Sequence, residues 1–213
     1  MSRGLFVSFE GVEGVGKSTQ IAAFIETLKD AGIDVVQTRE PGGTPNAERI
    51  RNILKDHADE SMPPVAELLL MFAARAINTA NTIRPAIEAG NWVVADRYTD
   101  STRAYQGGGR GQPMDRINAV AEWVHGDINP DITVLLDAPA EVGLARASGR
   151  GEADRFETEA VAFFEAVRAT YLDLAANEPE RFIVIDASDA LEAVRERVRQ
   201  AASDLINRFR EVR

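Results

Sequence analysis

Gly11-Val12-Glu13-Gly14-Val15-Gly16-Lys17-Ser18-Thr19 is the stretch that decides the fold. Gly11, four residues, then Gly16-Lys17-Ser18 complete the spacing of a phosphate-binding P-loop. Before it, Leu5–Phe9 is an apolar run of strand character. After it, Gln20–Lys29 carries apolar residues at helical spacing. A strand, a glycine-rich turn and a helix are the context this motif needs. In such a turn the backbone N–H groups point inward around phosphate oxygens, with the positive end of the helix dipole behind them. Glycines are required because side chains would block the approach of the backbone. Lys17 can reach terminal phosphates, and the Ser18 hydroxyl can ligate Mg²⁺. The expected ligand is a nucleotide with at least two phosphates.

Outward from the loop, short apolar strands alternate with longer helical patterns. The strands are expected at Leu5–Glu10, Asp34–Thr38, Trp92–Asp96, Ile132–Asp137 and Phe182–Asp186. The helices are expected at Lys17–Ala31, Ala47–Lys55, Val65–Ala89, Met114–His125, Ala140–Ala147, Thr158–Ala176 and Leu191–Phe209. Gly32, Gly90 and Gly126 stand where a helix C-terminus wants a left-handed residue. The alternation predicts an α/β fold, a parallel five-stranded sheet flanked by helices on both faces. Ligands in such sheets bind beyond the carboxyl ends of the strands. That rule gathers the P-loop, Arg39, Asp96-Arg97, Asp137 and Ala187-Ser188 into one crevice.

The 213 residues suffice for one core with a small lid, and are read as one domain, 1–213. Hydrophobic content of 45% and charged content of 27% are those of an ordinary globular protein. A net charge of −10 argues against nucleic acid or a membrane surface as partner. An anionic substrate must then be met by local arginines. There is no cysteine, hence no disulfide, which fits a cytoplasmic protein. No apolar stretch approaches the roughly 20 residues of a membrane span.

Several residues beyond the loop carry chemistry. Asp96 ends an apolar strand, the form of a Walker B carboxylate that holds Mg²⁺, and Arg97 beside it offers a planar fork matched to phosphate. Arg39, before Glu40-Pro41-Gly42-Gly43-Thr44, can present a cation beside a turn. Phe72 and Arg75 lie three apart on one helix face, so a ring could stack on a base while the guanidinium bonds its exocyclic oxygen. Tyr105-Gln106-Gly107-Gly108-Gly109 adds an amide for a base edge and a flexible glycine run. Arg146, Arg150 and Arg155 punctuate a glycine-containing segment that reads as a mobile lid, about 146–157. His57 and His125 are isolated and read as structural or exposed.

Taken together, these residues resemble the thymidylate kinase family, bacterial type. The resemblance rests on Phe9–Thr19, Thr38-Arg39-Glu40-Pro41-Gly42-Gly43-Thr44, Leu70-Met71-Phe72-Ala73-Ala74-Arg75, Asp96-Arg97, Ser101-Thr102-Arg103-Ala104-Tyr105-Gln106-Gly107 and the lid. It implies a P-loop NTPase-type kinase domain that transfers the ATP γ-phosphate to dTMP. ATP would lie on Gly11, Val12, Glu13, Gly14, Val15, Gly16, Lys17, Ser18 and Thr19, with Mg²⁺ near Ser18 and Asp96. Phe72 would stack on thymine and Arg75 contact the base. Arg39 and Arg97 would hold the dTMP phosphate, Ser101, Tyr105 and Gln106 would line the acceptor site, and Glu13 would approach the sugar. Lys17 and Arg97 would act in transfer with a lid cation, Arg150 or Arg155, because Gly14 leaves the P-loop without one. A homodimer formed through helices is implied as well. Ala76-Ile77-Asn78 departs from the family, which often has glutamine after that alanine. Competing readings are another nucleoside monophosphate or deoxynucleoside kinase on the same scaffold, and a nucleotide-operated switch. Arg97 and the lid arginines speak against the second, and no guanine-reading signature is present.

Overall fold

A computed structural model of the chain describes residues 3–56, 60–147, 155–156 and 158–211. Strands β1 (Phe6–Glu10), β2 (Val35–Arg39), β3 (Trp92–Asp96), β4 (Ile132–Asp137) and β5 (Phe182–Asp186) form one sheet in the order β2-β3-β1-β4-β5. Every pairing is parallel. The three central strands are buried along almost their whole length because helices cover both faces. On one face Val7, Phe9 and Val94 pack with residues of α1 (Lys17–Asp30) and α9 (Leu191–Glu211). On the other, Phe6, Val93 and Ala95 meet Ile83, Ile87 and Tyr98.

Register places the chemistry. Asp96 pairs with Phe9 on one side and with Arg39 on the other, Glu10 pairs with Leu135, and Asp137 with Asp186. The carboxyl ends of all five strands therefore form one rim. β2 runs one residue later than expected, so Arg39 closes that strand rather than following it. The turns behave as their glycines require: Gly32, Gly90 and Gly126 have φ of 77°, 87° and 52°.

The other helices are α2 (Pro45–Lys55), α3 (Pro64–Asn78), α4 (Arg84–Glu88), α5 (Thr99–Thr102), α6 (Met114–His125), α7 (Ala140–Ala147) and α8 (Val161–Asn177). The single helix expected over Val65–Ala89 is broken. Between α3 and α4 the chain makes one wide turn over Thr79–Ile83, with the Arg84 N–H donating to the Thr79 carbonyl. Pro85 is the physical reason, since its ring removes a donor and crowds the carbonyl four residues back. The glycine run Gly107–Gly109 is not a flexible loop either. It lies in a second wide turn, Arg103–Gly109, pressed against α8. A Cβ on Gly108 would stand 2.0 Å from Thr170 Oγ1, and one on Gly109 2.4 Å from Phe163 Cε2. These glycines allow close approach of two helical segments.

Candidate active site

The rim holds three adjoining hollows. The first is a cleft of roughly 590 Å³, mouth included, lined among others by Glu13, Glu40, Met71, Arg75, Arg97, Ser101, Tyr105 and Gln106. The second lies over the P-loop between Lys17, Ser18, Arg39, Asp96 and Arg97. Glu13, Glu40, Arg51, Lys55 and Arg97 belong to both, so the two are continuous. The third sits on the far side of the loop, between Gly14–Gly16, Ser18, Arg146 and the start of α9. The P-loop thus stands between two chambers, each of a size that suits a small molecule.

Arg97 is the hub of the junction. Its Nη2 donates to Glu13 Oε1 and Tyr105 Oη, each at 3.0 Å. Its Nη1 donates to Ser101 Oγ at 3.1 Å and Tyr171 Oη at 3.2 Å. The guanidinium also lies over the Tyr105 ring, 4.8 Å from its centroid. Arg97 is the one non-glycine residue with positive φ, 72°, among the described residues. Such a backbone costs of order 1 kcal/mol and persists only where the surroundings over-determine it, as these four contacts do. Burial works against its charge, but Tyr105, Glu13, Tyr171 and Asp96 outweigh that and hold its pKa well above the ordinary value.

Lys17 folds back onto the loop, its Nζ 3.1 Å from the carbonyls of Gly11 and Val12. Burial, then the Arg97 cation, push its pKa down to about 8, against the pull of Asp96, Glu13 and Glu10. Asp96 Oδ1 is buried and has no partner. A carboxylate oxygen left so is costly unless a cation meets it. No cluster of three metal-ligating side chains exists among the described residues. A hard cation completed by phosphate oxygens and water needs none.

Arg75 forms the wall of the first cleft. It is buried with Glu40, Nε to Oε2 at 2.6 Å, and its Nη2 donates to the Tyr98 carbonyl and Thr102 Oγ1. Its Nη1 is buried without a partner. That orphan donor is what a carbonyl oxygen of a bound base would satisfy. Arg39 reaches the second hollow but is 54% exposed and paired through two nitrogens with Glu48.

The P-loop is also locked from behind. A Cβ on Gly14 would stand 1.8 Å from the Gly143 carbonyl oxygen, and one on Gly143 2.2 Å from that of Glu13. Loop and α7 thus meet backbone to backbone. Gly143→Ala is expected to cost about 1–3 kcal/mol, the usual range for overpacking, as a lower urea midpoint. An unchanged midpoint would mean that the contact yields freely.

A family model described as Thymidylate kinase matches residues 9–198. The chain belongs to the thymidylate kinase family. It is 53% identical over 207 residues to a thymidylate kinase of Pseudomonas fluorescens, covering 97% of this chain and 99% of the relative. A second strain's thymidylate kinase is 55% identical over 193 residues, 91% of this chain and 92% of that protein. Among solved structures, thymidylate kinase from Ehrlichia chaffeensis superposes with a TM-score of 0.72 at 32% identity, covering 87% of this chain and 94% of the other. The sheet and P-loop are those of the P-loop NTPase fold.

Several thymidylate kinase expectations need correction on geometry. Phe72 is not on the cleft wall. It is 1% exposed, packed with Leu68, Ile117 and Ala121, with Arg75 over its ring at 4.9 Å. Met71 lines the cleft instead. Helix geometry explains it: residues four apart are closer in angle than residues three apart, so Met71, not Phe72, stands nearest the Arg75 direction. Arg155 is not at the phosphates. Its Nη2 pairs with Glu67 Oε2 at 2.6 Å and its Nε donates to the Leu54 carbonyl. Glu67 is a buried carboxylate that requires cations, and Arg110 is its other one. Arg146 lies in the last turn of α7 and is tied to the carbonyls of Ala187, Ser188 and Asp189 beside the third hollow. Arg150 and His57 lie outside the described residues. His125 is structural as expected, bonded to Thr99 Oγ1, with burial pushing its pKa down to about 4.

Of the other expected acceptor residues, Ser101, Tyr105 and Gln106 all line the first cleft, Gln106 donating its amide to Glu67. Sequence reasoning missed Glu10, Glu40, Arg51, Lys55, Met71 and Tyr171. Arg51 and Lys55 were findable, being four apart on one face of α2.

Proposed function

We propose that the chain transfers the γ-phosphoryl group of ATP to dTMP, giving dTDP and ADP. The observation that carries this is the pair of chambers meeting over one P-loop, with Lys17 and Arg97 at their junction. ATP takes the chamber beside Arg146 and α9, its phosphates on Gly11–Thr19. The monophosphate takes the cleft, its base toward Arg75 Nη1 and Gln106, its sugar toward Glu13, its phosphate toward Arg97, Arg39 and Arg51. Met71 gives the cleft a soft apolar wall for the base, and Phe72 supports Arg75 from beneath.

Transfer is direct. An oxygen of the dTMP phosphate attacks the γ-phosphorus, the bond to the β,γ-bridging oxygen breaks, and ADP leaves with that electron pair. The acceptor is already an anion, so no protein base or nucleophile is required. Lys17 and Arg97 neutralise charge, and the two chambers set the line of attack. Asp96, whose Oδ1 is buried without a partner, and Ser18 would hold Mg²⁺, which would supply positive charge against the transferring phosphate. Arg150 is the lid cation of this reading, since Glu67 occupies Arg155.

A coupled ADP-release assay with a panel of monophosphates tests the reading. dTMP should outrun dAMP, dGMP and dCMP by more than about 10²-fold, the discrimination expected where a buried donor is left unpaired by the wrong base. A purine leading the panel, or no turnover, overturns it. Met71→Ala should raise KM for dTMP about fivefold while leaving KM for ATP unchanged, as a lost wall in one chamber would. An equal rise in both would move Met71 out of the acceptor site.

A homodimer belongs to the proposal, with a cytoplasmic setting, which the cysteine-free composition supports. Val65 and Leu69 on α3 and Trp123 on α6, the last 86% exposed, are exposed apolar side chains on two helices that pack together. No described helix is long and apolar enough to cross a membrane.

A further inference from the structure

We propose that Glu10 is the positioning residue for the Arg97 clamp, acting through the hydroxyls of Ser101 and Tyr171. Glu10 ends β1 and is fully buried. Its Oε1 accepts from the Tyr98 N–H at 2.7 Å. Its Oε2 accepts from Ser101 Oγ at 2.5 Å and from Tyr171 Oη at 2.9 Å. Those two hydroxyl oxygens are the ones that accept from Arg97 Nη1. An ionised Glu10 has no proton to give, so the two hydroxyls, 2.8 Å from each other, direct their protons to it or to one another rather than toward Arg97. Their lone pairs are then turned toward Arg97, and the fork is fixed although its backbone sits in a strained conformation. If Glu10 takes up a proton on Oε2, one of the two bonds must reverse, and the hydroxyl that reverses must turn its own proton to the other hydroxyl or toward Arg97, which disturbs the pair of acceptors that Arg97 Nη1 uses.

The charged and titratable groups facing Glu10 are Arg97 and Asp100 from the segment after β3, Tyr171 from α8 and Lys17 from α1. Burial first, then Asp100, push the carboxyl up to about 7, against Arg97 and the hydrogen bonds. The switch between the two hydrogen-bond directions therefore falls near neutral pH.

The inference rests on the reading that Arg97 holds the acceptor phosphate. Glu10→Gln tests it, because the amide keeps the Oε1 acceptor and places a donor at the other position, reversing both hydroxyl bonds. kcat/KM for dTMP should fall about tenfold at pH 8, with KM for ATP unchanged. The ratio of wild-type to variant kcat/KM should shrink toward 1 as pH falls from 8 to 6. Titration of the dTMP phosphate is common to both enzymes and cancels in that ratio. A ratio that stays flat across pH, or a variant equal to wild type at pH 8, overturns the inference. Tyr171→Phe keeps the test open if the glutamine variant does not fold. It removes one arm, and should lower kcat/KM about threefold while retaining the pH step. No loss in a folded Tyr171→Phe overturns the relay. A wild type without dTMP turnover overturns the functional reading and the relay together, whereas wild-type turnover with unaffected variants overturns the relay alone.

Discussion

Lys17→Ala is expected to lower kcat about 10³-fold while leaving the fold intact, a loss of roughly 4 kcal/mol of transition-state stabilisation. The ammonium is the only P-loop side chain that carries a formal positive charge. In the structure it rests on two loop carbonyls 3.1 Å away, contacts it would exchange for phosphate oxygens. Its lowered pKa of about 8 belongs to a buried cation beside Arg97, and the negative charge of ATP would restore it. Nothing outside the loop depends on Lys17 for a hydrogen bond among the described residues, so circular dichroism and the urea midpoint should hardly move. Turnover within tenfold of wild type would remove Lys17 from the transfer step.

Arg97→Ala should be nearly as severe, about 10³-fold in kcat/KM for dTMP, because one side chain serves clamp and junction together. It differs from Lys17→Ala in a second respect. Glu13, only 15% exposed, loses its cation, and Tyr105, Ser101 and Tyr171 lose a shared donor. A stability loss of about 1–3 kcal/mol should accompany the kinetic defect. Arg97→Lys separates charge from shape. An ammonium cannot reproduce two parallel donors, so it should recover less than a tenth of the lost activity. Full recovery by lysine would mean that charge alone matters there.

The fold was legible because its signals are local. Strand, glycine turn and helix around Gly11–Thr19 are neighbours in sequence, and apolar strands buried on both faces announce a parallel sheet. Asp96 and Arg97 were legible for the same reason: they end a strand that the sheet forces to the rim. What stayed hidden depends on angle and on distant partners. Phe72 and Met71 are one residue apart, yet only one can face the cleft, and the spacing to Arg75 allowed either. Arg155 looked free for phosphate because nothing in its own segment shows Glu67 across the structure on α3. Glu10 read as one more strand residue, and its meaning comes from hydroxyls 91 and 161 positions away. The glycines at 107–109 read as looseness in the sequence, which does not display the helix they press against.

The meeting of Gly14 and Gly143 constrains how this enzyme can change. On the proposed reading the lid supplies a transfer cation, and a cation at position 14 of the P-loop would be the alternative. Here that single substitution would drive a side chain into the α7 backbone, where only 1.8 Å is available for its first carbon. The converse change at Gly143 meets the loop in turn. The two positions are therefore coupled: a side chain at position 14 can be accommodated only if the backbone of α7 moves away from the loop.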